Sequence, residues 1–136
     1  GRKCLLLLLA LLAVGACAQP PVGPAPIVFF RVEGTVYDVR QQPAAGIPGA
    51  VVVGLFGGER SQRMTTTDAA GRFEFAVQAH AITLSAEQRV DLEVTADGYS
   101  KATLTCLTTG SSQPSYGSVY SGTCQVGLEP QPKVVP

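Results

Sequence analysis

The chain has 136 residues, with ten Lys and Arg against ten Asp and Glu, and 15% of its residues are charged. This length predicts one small domain. The balanced charge argues against nucleic acid as a partner, because nucleic-acid-binding surfaces carry an excess of Lys and Arg. The sequence holds one His and no Asn, which leaves few groups for His-based catalysis or a metal site. We therefore expect a protein that is not an enzyme and that takes no metal or cofactor.

The N-terminus has the pattern of a secretion signal over residues 1–16. Arg2 and Lys3 precede an apolar run at residues 5–14, which is too short to span a bilayer as a helix. The signal ends in Val-Gly-Ala directly before Cys17, and this sequence resembles the lipobox of bacterial lipoproteins. The resemblance implies that Cys17 is the lipid anchor that attaches the protein to the membrane.

The same residues fit a second mode of processing. Ala16, Cys17 and Ala18 also satisfy the small-x-small rule for ordinary cleavage before Gln19, which would release a soluble protein. In lipoproteins, Ala18 at the position after the acylated cysteine is typical of an outer-membrane destination. The sequence thus predicts an outer-membrane lipoprotein of the bacterial cell envelope, and a secreted or periplasmic protein is the alternative.

Proline-rich segments flank the predicted domain. The linker at residues 17–27 contains four prolines, which favour an extended conformation that holds the domain away from the membrane. Residues 129–136 form a proline-rich tail. The folded domain is therefore predicted at residues 28–128.

Within this domain the sequence alternates apolar and polar residues. The inward-facing sets are Phe30, Val32 and Val36; Phe73 and Phe75; Val90, Leu92 and Val94; Leu104 and Cys106; and Cys124, Val126 and Leu128. Such alternation is typical of half-buried strands, whereas the three valines at 51–53 leave the register of their strand open. Asp-Ala-Ala-Gly at 68–71 and Asp-Gly at 97–98 are turn signals. Seven short strands separated by turns predict an all-β sandwich.

Two of the four cysteines remain in the domain once Cys4 is assigned to the signal and Cys17 to the lipid. An even pair in an exported protein is expected to be oxidised. The sequence therefore predicts a disulfide between Cys106 and Cys124.

Four segments and Asp38 carry a family resemblance, and the segments are VEGTV at 32–36, GIPGA at 46–50, TTDAAGRFEF at 66–75 and VTADGY at 94–99. Together they resemble the carboxypeptidase regulatory-like domain. The resemblance implies a seven-stranded Greek-key β-sandwich of the transthyretin-like type. It also implies an accessory domain without catalytic residues, of a kind in which some relatives bind glycans.

The favoured functional hypothesis is a non-catalytic envelope lipoprotein that acts as a binding or structural accessory module for a protein partner or a glycan. The segment at 108–118 is rich in hydroxyl residues and is followed by Tyr120, a composition found in adaptable recognition loops. Tyr116 and Tyr120 are therefore the candidate binding residues, and a flexible linker between strands is the alternative interpretation of this segment.

A small transthyretin-related hydrolase of the periplasm is the alternative function. Tyr-Ser-Gly-Thr at 120–123 superficially resembles a tetrapeptide of hydroxyisourate hydrolases, which share the transthyretin fold. Those enzymes use several histidines, whereas this chain has His80 alone. The sequence therefore favours the binding module.

Overall fold

The structure is a computed structural model that describes residues 27–58, 60–81, 85–110 and 117–132. The described residues form eight strands: β1 Ile27–Asp38, β2 Ala45–Gly46, β3 Val51–Phe56, β4 Ser61–Thr66, β5 Arg72–His80, β6 Glu87–Thr95, β7 Ala102–Thr109 and β8 Val119–Leu128. They pair in one curled sheet in the order β2-β1-β8-β7-β6-β3-β4, and β5 also pairs with β1. Within these ranges no helix has the length and apolar character needed to span a membrane.

Strand β1 lies at the centre of one half of the sheet. Its residues alternate between exposed and buried positions, so that Val28, Phe30 and Val32 point into the core. β5 pairs antiparallel with residues 27–35 of β1, and β8 pairs parallel with residues 29–38 on its other side. Because successive side chains of a strand point to opposite faces, β1 fills the core with one set and presents the other set to solvent.

A row of aromatic rings crosses the core between the two halves of the curled sheet. Tyr120 of β8 stacks on Phe30 with ring centroids 5.8 Å apart, and Phe30 lies 5.2 Å from Phe56 of β3. Phe56 then meets Phe75 of β5 edge to face at 5.5 Å. Offset and edge-to-face geometries are the favourable ones for aromatic pairs, so this row ties four strands together.

The all-β prediction is confirmed, and the predicted inward-facing residues are buried or pack against the core. The open register at 51–53 is now defined, since Val52 is fully buried and its two neighbours are partly exposed. The described residues form eight strands in one curled sheet rather than seven, because two residues of β2 also pair with the end of β1. The seven-stranded transthyretin-like Greek key stays a prediction.

The predicted disulfide is present at the junction of β7 and β8. These strands pair at Thr109 and Ser121, and in the same antiparallel register Cys106 lies opposite Cys124. The disulfide joins this second pair, whose Cα atoms are 6.0 Å apart. The disulfide therefore joins β7 to β8 at a position three residues away from the Thr109–Ser121 pair.

The turn between β4 and β5 forms as the sequence predicts. The N–H of Gly71 donates to the carbonyl of Asp68 at 2.9 Å, and Gly71 has a positive φ of 80°. A Cβ at Gly71 would also lie 2.6 Å from the carbonyl oxygen of Val36. Glycine is required here because the backbone is left-handed and packs closely against β1.

We expect removal of the disulfide to lower the melting temperature of the domain. The bond closes a loop with a sequence separation of 18, which the chain-entropy model values at roughly 3 kcal/mol. For a domain of this size the Cys106→Ser/Cys124→Ser double variant should melt roughly 10 °C or more below the wild type. Circular dichroism melting measures this difference.

The matched control is Thr103→Ser/Thr123→Ser, which changes exposed side chains of the same two strands. Its melting temperature should stay close to that of the wild type. Equal melting of the cysteine double variant and the wild type would show that the disulfide does not stabilise the fold.

Candidate ligand-binding face

The solvent side of β5, β1 and β8 carries exposed apolar side chains next to charged ones. Its side chains lie in three cross-strand rows, which are Gln78, Phe29 and Val119; Ala76, Arg31 and Ser121; and Glu74, Glu33 and Thr123. We call these nine residues the outer face. The rows change from apolar to charged along β1, so the outer face has an apolar end and a polar end.

A groove of about 370 Å³ lies at the apolar end. The exposed side chains of Phe29, Ala76 and Val119 form its walls, and Arg31 and Gln78 lie at its margin. Phe29 is 43% exposed and Val119 is 53% exposed. Adjoining exposed apolar side chains of this size are typical of binding surfaces, and the groove is large enough for a small ligand.

The polar end opens into a cleft of about 530 Å³ near the gap between β4 and β5. Its lining includes the carboxylates of Glu33 and Glu74 and the hydroxyls of Thr35, Thr65 and Thr123. These groups favour water and polar ligand atoms. An apolar ring is therefore better accommodated by the groove than by this cleft.

Arg31 lies between the two ends and is held by two carboxylates. Its Nη2 is 3.1 Å from Glu74 Oε2, and its Nε is 3.6 Å from Glu33 Oε2. All three side chains are about half exposed, so the pairs contribute little to stability. The two ion pairs matter instead for the position of these groups, because they hold the Arg31 guanidinium and two carboxylates beside the groove.

Asp68 closes the turn that borders the polar cleft. Its Oδ1 accepts hydrogen bonds from the backbone N–H groups of Arg72 and Ala70, each at 2.9 Å. The bond from Arg72 is the main cause that lowers the pKa of Asp68 below its ordinary value, and the bond from Ala70 acts in the same direction. The carboxylate is therefore stabilised in its charged form.

A second polar contact lies at the far end of β1. Asp38 is buried and accepts hydrogen bonds from the hydroxyl of Tyr99 and from the backbone N–H of Arg40, both at 2.8 Å. The bond to Asp38 raises the pKa of Tyr99 above its ordinary value. This pair fixes the turn after β6 against β1.

Among the residues predicted from the sequence, Tyr120 requires a correction. It was expected in an exposed binding loop, but its side chain is 0% exposed and stacks on Phe30. Its hydroxyl donates to the carbonyl of Ser85, so its ring is not available to a ligand. Tyr116 and Cys17, the predicted lipid anchor, lie outside the described residues.

Sequence reasoning missed the groove, although β1 carried a signal for it. The alternation that turns Phe30 inward must turn Phe29 outward, where a polar residue is the usual choice. The neighbouring residues Ala76 and Val119 come from segments distant in sequence. Their approach to Phe29 depends on the cross-strand register, which the sequence does not reveal.

No family model and no curated protein sequence matches the chain. Solved structures do match in fold. Catechol 1,2-dioxygenase from Acinetobacter sp. ADP1 is 14% identical over 84% of this chain and 57% of its own length, with a TM-score of 0.54. Hydroxyquinol 1,2-dioxygenase from Pseudomonas putida DLL-E4 is 11% identical over 81% of this chain and 58% of its own, with a TM-score of 0.52.

A third match covers most of both chains. It is the dioxygenase domain of a dioxygenase and carbohydrate-binding fusion from Streptomyces sp. SirexAA-E, 14% identical over 82% of this chain and 86% of its own, with a TM-score of 0.54. At these identities the likeness shows a shared fold alone. The chain spans little more than half the length of the catechol and hydroxyquinol enzymes.

These matches contradict the function predicted from the sequence. The non-catalytic accessory lipoprotein and the transthyretin-related hydrolase were both inferred from resemblance to other families, whereas the fold is that of dioxygenase domains. We expected from the composition that the chain is not an enzyme. The solved structures that share its fold, in contrast, are enzymes. The carboxypeptidase regulatory-like resemblance and the lipid anchor stay predictions.

The name dioxygenase implies oxygen chemistry, which proteins carry out with haem, flavin, copper or non-haem iron. Non-haem Fe(II) oxygenases typically hold the metal with two histidines and a carboxylate. This sequence has His80 alone, and no three His, Cys, Asp or Glu side chains of the described residues lie close enough to hold a metal. The side chains present do not fit such a metal, and we assign no oxygen-transfer step to them.

The lowered pKa of Asp68 predicts a loss of stability in acid. A carboxyl whose native pKa lies below its unfolded value stabilises the fold above the unfolded pKa, and this contribution is lost as the pH falls through the native pKa. We expect Asp68→Ala to melt several degrees below the wild type at pH 7. The difference should shrink as the pH is lowered below about 4, and thermal melts across pH 2 to 7 measure it.

Asp97→Asn, which changes another exposed turn carboxylate, is the control and should melt close to the wild type at pH 7. A difference between Asp68→Ala and wild type that stays constant from pH 7 to pH 2 would refute the assigned charge effect.

Proposed function

We propose that the outer face binds a small aromatic diol, a benzene ring with two neighbouring hydroxyl groups. The observation that carries the proposal is the exposed ring of Phe29 in an apolar groove directly beside the Arg31–Glu74 pair. A ligand for this surface needs one apolar face and polar substituents at one edge. Aromatic diols have both features on a single ring.

The apolar half of the ligand matches the groove walls. Phe29 offers an exposed aromatic face or edge, and Ala76 and Val119 lie beside it. Ring contacts of this kind contribute about 0.5–1.5 kcal/mol beyond the burial of apolar area. Phe29 sits on a central strand, paired on both sides, so its backbone is held in place before a ligand binds.

The hydroxyl groups match the charged row. A phenolic O–H donates well to a carboxylate such as Glu74, and its oxygen accepts from a guanidinium such as Arg31. These two groups lie 3.1 Å apart, so neighbouring hydroxyls on one ring can reach both. The Gln78 amide at the groove margin supplies a further donor and acceptor.

The comparisons support this choice of ligand class. The matching solved structures include enzymes named for catechol, hydroxyquinol and 3-chlorocatechol, all of which are hydroxylated benzene rings. The proposal concerns recognition of the ring. It assigns no conversion of the ring to the described residues, in which no three His, Cys, Asp or Glu side chains lie close enough to hold a metal.

We expect Phe29→Ala to weaken the binding of catechol to the full chain by about tenfold, which corresponds to about 1.4 kcal/mol of lost ring contact. Ligand-observed NMR titration measures the dissociation constant. Cyclohexane-1,2-diol, which keeps the hydroxyls but lacks the aromatic ring, should bind more weakly than catechol.

Met64→Ala is the matched control, because Met64 is also an exposed apolar side chain but lies on β4, which contributes no residue to the outer face. It should leave the dissociation constant unchanged. Equal binding of catechol by the wild type and Phe29→Ala, or no binding to the wild type, would reject the proposal.

A further inference from the structure

Strand β4 ends the curled sheet, and its outer backbone edge pairs with no other strand of the described residues. Among the described strands β4 pairs with β3 alone. The N–H of Thr67, directly after β4, donates to the carbonyl of Ala50 at 2.9 Å, so the backbone groups of this residue face β3. Because backbone groups alternate in direction along a strand, those of Gln62, Met64 and Thr66 point away from β3, into the open edge.

The side chains of β4 block this edge only in part. Natural edges are commonly blocked by charged residues, Pro or bulges. β4 reads Ser-Gln-Arg-Met-Thr-Thr, and its one charged side chain, Arg63, lies on the opposite side of the strand from Met64. Met64 is 69% exposed and lies opposite Val53 in the register of β3. Val51, Val53 and Leu55 are partly exposed on the same side. An apolar stripe therefore crosses β3 and reaches the edge at Met64.

We propose that β4 pairs antiparallel with β4 of a second copy of this chain, in a two-fold dimer centred on Met64. In this register the outward-facing backbone groups of Met64 meet those of its counterpart, and Gln62 meets Thr66 of the second copy. Each of these pairs would exchange two N–H to carbonyl bonds. The two apolar stripes join into one across the dimer, so the edge and the stripe are covered by the same partner.

The charges favour this register over its neighbours. Centring on Met64 places Arg63 opposite Thr65 of the second copy, whereas centring on Arg63 would place like charges opposite each other. Centring the pair on Arg63 would also place the backbone groups of Arg63 opposite each other, although these groups already bond to β3 and are not available to a second copy. A two-fold arrangement uses the same patch on both copies and closes on itself, which gives a dimer rather than a fibre.

The other end of the sheet is less suited to this pairing. The backbone N–H and carbonyl of Arg72 in β5 are both engaged by Asp68. At the far end of β5, the carbonyl of His80 lies against Gly57. Between these two contacts β5 carries the charged Glu74 and no exposed large apolar side chain comparable to Met64.

Sedimentation velocity of the full chain over a range of concentrations tests the dimer. The wild type should associate reversibly, and Met64→Lys, which places two ammonium groups opposite each other, should raise the dissociation constant of the dimer at least tenfold. Leu107→Lys introduces the same charge at another exposed apolar position and should associate like the wild type. A monomeric wild type, or association that persists unchanged in Met64→Lys, would overturn the proposal.

Hydrogen exchange of the wild type provides a test that does not depend on the folding of a variant. The amides of Gln62, Met64 and Thr66 should exchange more slowly at high protein concentration than at low concentration. The amides of Arg63 and Thr65 already bond to β3 and should show a smaller change. Exchange at Met64 that does not depend on concentration would refute pairing along this edge. The dimer is independent of aromatic diol binding, so either proposal can fail alone.

Discussion

The period-two alternation of β1 is the constraint on which the rest of the molecule depends. One set of its side chains, with Phe30 at the centre, enters the aromatic row that joins the two halves of the sheet. The other set begins with Phe29 and continues through Arg31. A slip of one residue in the pairing would exchange the two sets. The register with β5 and β8 thus fixes both the core and the candidate ligand site.

Local patterns in the sequence predicted much of this core. Phe73 and Phe75 alternate with charged residues, and the structure turns both inward. The disulfide followed from a count of cysteines. Tyr120 could not be placed in this way, because it follows a segment rich in Ser and Gly. Its burial depends on a stack with Phe30 and a hydrogen bond to Ser85, and both partners are distant in sequence.

Function was harder to infer from the same patterns. Turn and core residues define a fold, and a fold is shared by proteins with different chemistry. The segments that resemble an accessory domain include the Asp68 turn and the Asp38–Tyr99 contact, which serve to hold strands together. The candidate site lies instead on the solvent side of β1, where Phe29 and Arg31 stand out only once β5 and β8 are in place.

The central claim is that the outer face recognises an aromatic diol. Its most direct test is an ¹⁵N-resolved NMR map of the full chain, recorded during addition of catechol. We predict that the amide signals whose chemical shifts change belong to residues around Phe29, Arg31, Gln78 and Val119. The chemical shifts of the β3 and β4 amides should not change. Shifts confined to another surface, or no shifts at millimolar catechol, would contradict the account.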